Sequence, residues 1–420
     1  MSTYKKPDYM DEITKPFDVR TAMEEASRCL LCHDAPCSRA CPAGTDPGSF
    51  IMSLRFRNEK GAAETIRTAN PLGGVCARVC PYDRLCEEAC SRCGIDKPIQ
   101  IGRLQRYAAD QEAVYGMNIM ETGKSIHKKV ACIGAGPASL ACAAILAQNG
   151  VDVTIYEKKA RAGGLLSYGI LPSRLPQSVV DHEIALIEKL GVTIRCGVTV
   201  GRDIAIEEIR KNYDALFIGT GLDRAKSLDI PGSGLKGVTS ALDFLADMKE
   251  ADGKGTVGRH VVVIGGGDVA MDAACTAALL GAQTTIVYRR TLEEAPANTK
   301  EIAFAQSLGV SFLFRFRPEE ITGDGTKAEG LKAVGVGHDS VITLQADQVI
   351  LAIGQEAADD LALPLERDGR KLIAAQNGAT SIPGIFAGGD IVNGGKTVVQ
   401  AVAEGKLAAH SILQYMEGEK

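Results

Sequence analysis

Seven cysteines stand at spacings that suit soft-metal chemistry: Cys29-x2-Cys32-x4-Cys37-x3-Cys41-Pro, then about forty residues later Cys80-Pro-x4-Cys86-x3-Cys90. Thiolates in this pattern suit iron–sulfur clusters, and a ferredoxin-like run sends its last cysteine to a second cluster. Seven ligands are one short of two four-ligand clusters. A neutral side-chain oxygen can supply the eighth, and Gln105 in IGRLQRY lies on a helix soon after Cys90. Zinc is the alternative, but zinc modules usually repeat one Cys-x2-Cys pair and do not mix x4, x3 and x5 gaps. A redox-active thiol system is a second alternative. Of the 13 cysteines, nine fall between positions 29 and 93, while Cys132, Cys142, Cys196 and Cys275 are scattered singly and read as small core residues. Cys76 and Cys93 read as packing residues; Cys76 competes with Cys80, and the Cys-Pro pairs at Cys41 and Cys80 favour Cys80.

Two glycine-rich turns carry the second kind of chemistry. The first, Gly134-Ala135-Gly136-Pro137-Ala138-Ser139, follows a strand and opens a helix, and Glu157 ends the next strand. Such a turn admits a pyrophosphate against a helix N-terminus while the acid accepts from ribose hydroxyls. Ser139 takes the place of the usual third glycine, which tightens helix-to-strand packing and leaves the phosphate path open. The second turn, Gly265-Gly266-Gly267-Asp268-Val269-Ala270, leads to a strand that ends in Tyr288-Arg289-Arg290 instead of an acid. Two guanidiniums suit a 2′-phosphate and favour NADPH over NADH. The acid-terminated unit is expected to hold FAD, completed by Phe386-Ala387-Gly388-Gly389-Asp390-Ile391, with Asp390 accepting from the ribityl or phosphate side. A plain turn role for the glycines, and solvated arginines, are the competing readings.

These residues need elements to hold them. The sequence reads as α/β. A mostly helical cysteine region spans 1–125, with helix-like stretches at 47–70 and 99–114. A strand–turn–helix–strand unit begins at Lys128, and a second copy begins at Arg259. YDALFIGTG and DQVILAIGQ close the two copies in the same way, so the repeat is internal. The expected division is a helical domain at 1–125, an FAD domain at 126–248 and 356–420, and an NAD(P)H domain at 249–355 inserted into it. A closing helix over 398–416 is rich in small residues that suit packing beneath a cofactor.

Composition excludes other classes. A chain of 420 residues with 45% hydrophobic and 24% charged residues is globular, with room for two or three domains. Its net charge of -5 gives no electrostatic footprint for nucleic acid or anionic lipid. No signal peptide and no run of about 18 apolar residues is seen, so no membrane association is expected and the cytoplasm is the expected compartment.

Over essentially its whole length the chain resembles the electron-input part of dihydropyrimidine dehydrogenase and the small subunit of glutamate synthase. The resemblance runs from SRCLLCHDAPCSRACP through NPLGGVCARVCPYDRLCEEAC and IGAGPAS to FAGGDIVNGGKTVVQAV. It is closest to the separate subunit of bacterial NAD(P)-dependent dihydropyrimidine dehydrogenase; glutamate synthase small subunits have a shorter second cysteine gap and an acid where Gln105 stands. The resemblance implies Cys29, Cys32, Cys37 and Cys90 on one [4Fe-4S] cluster, and Cys41, Cys80, Cys86 and Gln105 on another. It implies FAD contacts from Gly134, Ala135, Gly136, Pro137, Ala138, Ser139, Glu157, Gly164, Leu165, Arg174, Gly389, Asp390 and Thr397. Nicotinamide-nucleotide contacts are implied at Gly266, Gly267, Asp268, Val269, Arg289, Arg290, Ala352, Ile353 and Gly354. Where some NADPH-using relatives carry a further basic residue after the Arg pair, this chain has Glu293 and Glu294, so NADPH and NADH both stay open.

The chemistry implied needs no catalytic side chain, because hydride passes between cofactors and the protein supplies positioning and electrostatics. No stretch remains for a pyrimidine-reducing barrel of some 250 residues. A partner subunit carrying FMN and further clusters is therefore expected to reduce uracil or thymine. The alternatives are a glutamate synthase small subunit or another electron-feeding subunit, a disulfide reductase, for which the nucleotide region lacks a Cys-x2-Cys pair, and a non-catalytic electron-carrying scaffold.

Overall fold

The computed structural model describes residues 7–358, 361, 363–369 and 371–418. They form two compact units, each assembled from separated stretches of chain.

The larger unit comprises residues 14–166, 177–223 and the described part of 357–418. Its N-terminal third is helical because short polar residues start the helices and apolar ones recur along one face. Asp18, Asp46 and Asn58 each accept a hydrogen bond from a first-turn N–H, of Thr21, Ser49 and Gly61 respectively. The helix-like stretch at 47–70 is two helices, Pro47–Arg55 and Glu59–Ala69, because Asn58 caps the second and Arg57 turns the chain with φ of 58°. Phe50, Leu54, Ile66 and Leu104 fill the space between these helices and Ile101–Tyr115. Each such side chain contributes about 1.5–3 kcal/mol by leaving water.

The rest of this unit is a five-stranded parallel sheet in the order Ile385–Ala387, Ala215–Ile218, Lys129–Ile133, Asp152–Glu157, Thr193–Cys196. The last strand in sequence thus joins a sheet begun some 250 residues earlier. The helix Pro137–Gln148 is apolar on all sides and buried between the sheet and the closing helix Val398–Glu417. A charged triad ties the helical third to this sheet region: Arg67 bonds Glu112 at 2.8 Å and Glu183 at 2.6 Å, and all three side chains are at most 2% exposed. Glu183 also accepts from Gly74 N–H. Removing one member of such a triad leaves a buried charge unpaired, at a cost of about 3–5 kcal/mol.

The smaller unit comprises residues 7–13, 167–176 and 224–356. Its parallel sheet runs Val238–Ser240, Gln348–Leu351, His260–Ile264, Gln283–Tyr288, Ser311–Phe314. A three-stranded antiparallel meander, Phe316–Gly323, Ala328–Gly335 and Val341–Gln345, accompanies it. The sequence reading places residues 126–248 with the first sheet. In the structure Val238 lies beside Val349, so the boundary of this unit falls at 224 and not at 249. No helix of the described residues is long and apolar enough to cross a membrane.

Candidate functional site

Four of the predicted thiols, Cys29, Cys32, Cys37 and Cys90, line one hollow together with Leu30, Pro36 and Ile99. The run Pro36–Arg39 and the loop after Cys86 bring them there. Thiols that surround a hollow fit a cube of iron and sulfide, whereas a single tetrahedral ion needs them to converge on a point. Among the described residues no three His, Cys, Asp or Glu side chains converge in that tighter way. Burial, reinforced by Cys90 and Cys29, pushes the Cys37 thiol up to about 11. The Cys37 thiol therefore keeps its proton at neutral pH until a metal displaces it, so loading releases acid.

Cys41, Cys80 and Cys86 gather beside them. The Cys80 thiol is raised first by its hydrogen bond to Cys76, then by burial, with Cys86 and Cys41 also acting on it. Burial, then Glu87, Cys41 and Cys37, push Cys86 up to about 12. Cys86 therefore feels thiols of both groups, and the two groups abut. Gln105 is buried on Ile101–Tyr115, and its amide Nε2 donates to Gly73 O at 2.8 Å. That bond commits the nitrogen, so Oε1 is the atom of this side chain that a ligand role would use. Cys76, read from sequence as packing, is 2% exposed and reaches Cys80, so its thiol joins the Gln105 amide as a candidate for the fourth position.

The first glycine turn is built for close approach. Gly134 has φ of 88°, and a Cβ there would meet Gly219 O at 2.7 Å. Ser139 is fully buried and fills the space that Gly219 leaves empty. The loop carrying Gly164 and Leu165 folds onto the turn, with Gly163 N–H donating to Ala135 O at 2.8 Å. Glu157 binds the turn itself: one carboxylate oxygen accepts from Ala135 N–H and the other from Lys159 N–H, each at 2.8 Å. Opposite, Gly389 N–H donates to Glu404 at 2.7 Å, and Thr397 caps the closing helix in a reciprocal pair with Gln400. Burial and the neighbouring Glu404 raise the Asp390 carboxyl, with Lys396 N–H opposing them. A hollow beside Gly134 and Glu157 is lined by Tyr156, Lys158, Val198, Thr220, Asp223 and Leu361. Sequence reasoning missed Lys158 and Asp223, which form an ion pair at its mouth. Only the adjacency of Lys158 to Glu157 hinted at it.

Gly134 through Ser139, Glu157, Gly164, Leu165, Gly389, Asp390 and Thr397 are thus gathered in the larger unit. Arg174 lies in the smaller one, where its guanidinium bonds both carboxylate oxygens of Asp272 at 2.9 Å and its Nε lies 3.1 Å from Glu301.

The second turn, in the smaller unit, meets the strand ends differently. A Cβ on Gly266 would strike the Tyr288 ring at 2.6 Å, and one on Gly265 would run into Ala352 O, so Ala352–Gly354 borders the turn. Asp268 is committed to the N–H of Asn298 at 2.7 Å. Arg289 and Arg290 are exposed and paired with no described carboxylate. Behind them Glu294 accepts from Thr291 N–H, and its carbonyl accepts from Tyr288 Oη.

Comparison with known proteins places this geometry. Residues 128–405 match the pyridine nucleotide-disulphide oxidoreductase family, and residues 6–117 match dihydropyrimidine dehydrogenase domain II, 4Fe-4S cluster. The NAD-dependent dihydropyrimidine dehydrogenase subunit PreT of Escherichia coli (strain K12) is 49% identical over 412 residues, 98% of each chain. The glutamate synthase [NADPH] small chain of the same strain is 35% identical, covering 97% of this chain and 94% of that one. Among solved structures, FprA of Mycobacterium tuberculosis in complex with NADPH aligns with a TM-score of 0.59 at 19% identity, over 69% of this chain and 85% of that one. Thioredoxin reductase of T. acidophilum gives 0.57 at 23%, over 70% of this chain and 100% of that one. These last two share the fold of the nucleotide-binding region. The chain belongs to the pyridine nucleotide-disulphide oxidoreductase family, in the branch that carries an N-terminal dihydropyrimidine dehydrogenase 4Fe-4S domain and includes the PreT subunits.

Proposed function

We propose that the chain is the electron-input subunit of an NAD(P)H-dependent dihydropyrimidine dehydrogenase, feeding an FMN- and iron–sulfur-containing partner that reduces uracil or thymine to the 5,6-dihydro form. The coarser part of this reading is plain: the chain is an NAD(P)H-linked oxidoreductase subunit with an FAD fold and a 4Fe-4S domain. The single observation that carries the finer part is the abutting pair of thiol groups in the same compact unit as a flavin-type glycine turn. FAD, when bound, takes a pair of electrons from nicotinamide and passes them on singly to iron–sulfur centres.

The residues divide the work. Gly134 to Ser139 would receive the flavin pyrophosphate at the N-terminus of Pro137–Gln148, and Glu157 holds that turn in shape. Asp390 and Thr397 would border the ribityl side. Gly266 to Val269 and Ala352 to Gly354 would hold the nicotinamide nucleotide, with Arg289 and Arg290 at its ribose end. The latter pair suits NADPH, while Glu293 and Glu294 just beyond suit NADH, the nucleotide in the name of the PreT relative. Cys29, Cys32, Cys37 and Cys90 would hold one cluster, and Cys41, Cys80, Cys86 and Gln105 a second.

Anaerobic iron, sulfide and flavin analysis should give about eight irons and one FAD per chain, the sum of two four-iron clusters. Uracil-dependent oxidation of NADH or NADPH should then appear when the chain is mixed with an FMN-containing pyrimidine-reducing subunit. Turnover only with a glutamine- and 2-oxoglutarate-using partner would favour the second reading, a glutamate synthase small subunit, which the 35% identical relative supports. Colourless or zinc-loaded protein sinks both.

A further inference from the structure

Three consecutive residues of the closing helix face three different parts of the site. Glu404 takes the N–H of Gly389 at 2.7 Å and the side-chain amide of Asn393 at 2.9 Å, fixing the turn that carries Asp390. Gly405 lies against Ala138 O at the start of Pro137–Gln148, so close that any side chain there would run into that backbone. Lys406 points the other way, into the helical third. Its Nζ donates to Ala43 O at 2.7 Å and to Ala69 O. Ala43 is two residues past Cys41, and Ala69 ends the helix Glu59–Ala69, where unpaired carbonyls favour a cation. Burial lowers the Lys406 ammonium below its ordinary value, and the nearness of Cys41 opposes that fall.

We propose that Lys406 is a positioning residue for the cluster held by Cys41, Cys80 and Cys86: it pins the Cys41 loop to the flavin-binding helices and places a fixed positive charge beside that cluster. Two physical arguments support it. An iron–sulfur cluster gains one negative charge for each electron it accepts, and its potential depends on nearby charge and hydrogen bonds. A cation in a partly buried site favours the reduced form of a nearby cluster more than a screened surface charge does. The same two hydrogen bonds fix the span between the glycine turn and the Cys41 loop, and no other lysine of the closing helix exists to replace them. Lys406 thereby makes the Cys41 cluster a readier acceptor than it would be without that charge and couples its place to the flavin cradle. This inference rests on the two-cluster reading above.

The test uses the full chain reconstituted anaerobically with iron, sulfide and FAD, comparing the unaltered protein with Lys406→Gln and Lys406→Arg. Iron and sulfide analysis of the unaltered protein decides the two-cluster reading by itself. Given two clusters, a redox titration followed by electron paramagnetic resonance should show one midpoint moved to more negative potential in Lys406→Gln, the other unmoved, and both near their original places in Lys406→Arg. Loss of about half the iron in Lys406→Gln but not in Lys406→Arg also supports the proposal, since four of eight irons belong to one cluster. Unmoved midpoints in a fully loaded Lys406→Gln overturn it, as does equal loss of iron in both variants. Thermal melting of the iron-free variants separates the roles: a purely structural lysine would lower the melting temperature of Lys406→Gln without any shift in the loaded protein's potentials.

Discussion

The two glycine turns have the same strand–turn–helix plan and differ in what closes over them. The first is walled in: Glu157 spends both carboxylate oxygens on backbone N–H groups around the turn, the Gly164 loop folds onto it, and the closing helix packs along its helix. At the second, Arg289 and Arg290 stand exposed and Asp268 is turned aside to Asn298. A turn fastened on every side suits a nucleotide that stays bound, and one with unengaged cations at its rim suits a nucleotide that comes and goes. The same local motif is thus specialised by its surroundings, which fits the proposed division between flavin and nicotinamide.

Matched substitutions are the strongest way to break this comparison. Gly134→Val adds a side chain where φ is 88° and backbone lies 2.7 Å away. The left-handed conformation alone costs about 1–2 kcal/mol for a residue with a Cβ. The purified protein should contain almost no flavin by absorbance; full flavin content would remove the first turn from the flavin reading. Gly266→Val meets the Tyr288 ring first, a side chain of the smaller unit, so flavin should stay while KM for the nicotinamide nucleotide rises about tenfold or more, the equivalent of one lost contact of about 1.4 kcal/mol. Equal loss of flavin in both variants would mean that the turns are not specialised.

Arg289→Ala with Arg290→Ala sharpens the comparison further. If the pair meets a 2′-phosphate, steady-state kinetics should show kcat/KM for NADPH falling about tenfold to a hundredfold, from charge-assisted bonds of about 1.5–3 kcal/mol, with NADH little affected. An equal fall for both nucleotides would assign the arginines to the shared part of the cofactor.

The smallest expected effect concerns the charged cluster of the smaller unit. Burial raises Glu301 from the ordinary 4.5 to about 7, against the pull of Arg174 and with Asp272 and Asp268 adding to the rise. Asp272 is raised too, again first by burial. An acid raised by folding binds protons in the native state over the window between its two pKa values, so stability is lost as pH climbs from about 4.5 to about 7 and levels off above. Scanning calorimetry should show the melting temperature of this unit falling by about 2–4 °C across that window, and Glu301→Gln should flatten the slope. An unchanged slope would place the titration elsewhere.

Features carried by short spacings were legible in the sequence. The Cys29 to Cys41 run, both glycine turns and Glu157 lie within one or two elements, where chemistry and local folding coincide. What could not be read depends on distant partners. Arg174 is 98 residues from Asp272, and Lys406 reaches a carbonyl 363 residues away; neither separation leaves a local pattern. The pairing of Val238 with Val349 moved a domain edge, because a three-residue strand carries almost no periodicity. The meander over 316–345 escaped notice for a related reason: its two longer strands, Phe316–Gly323 and Ala328–Gly335, alternate too weakly to announce themselves.

The late arrival of Ile385–Ala387 in the first sheet has a consequence for synthesis. When the ribosome has delivered residue 356, every strand of the second sheet is already out, whereas the first still lacks its outer strand and closing helix. Until roughly sixty more residues emerge, at about 5–20 residues per second, Ala215–Ile218 presents a bare edge and Pro137–Gln148 an uncovered apolar flank. The nascent chain therefore passes through a brief interval in which the unit that carries the 4Fe-4S domain is the one most in need of a chaperone.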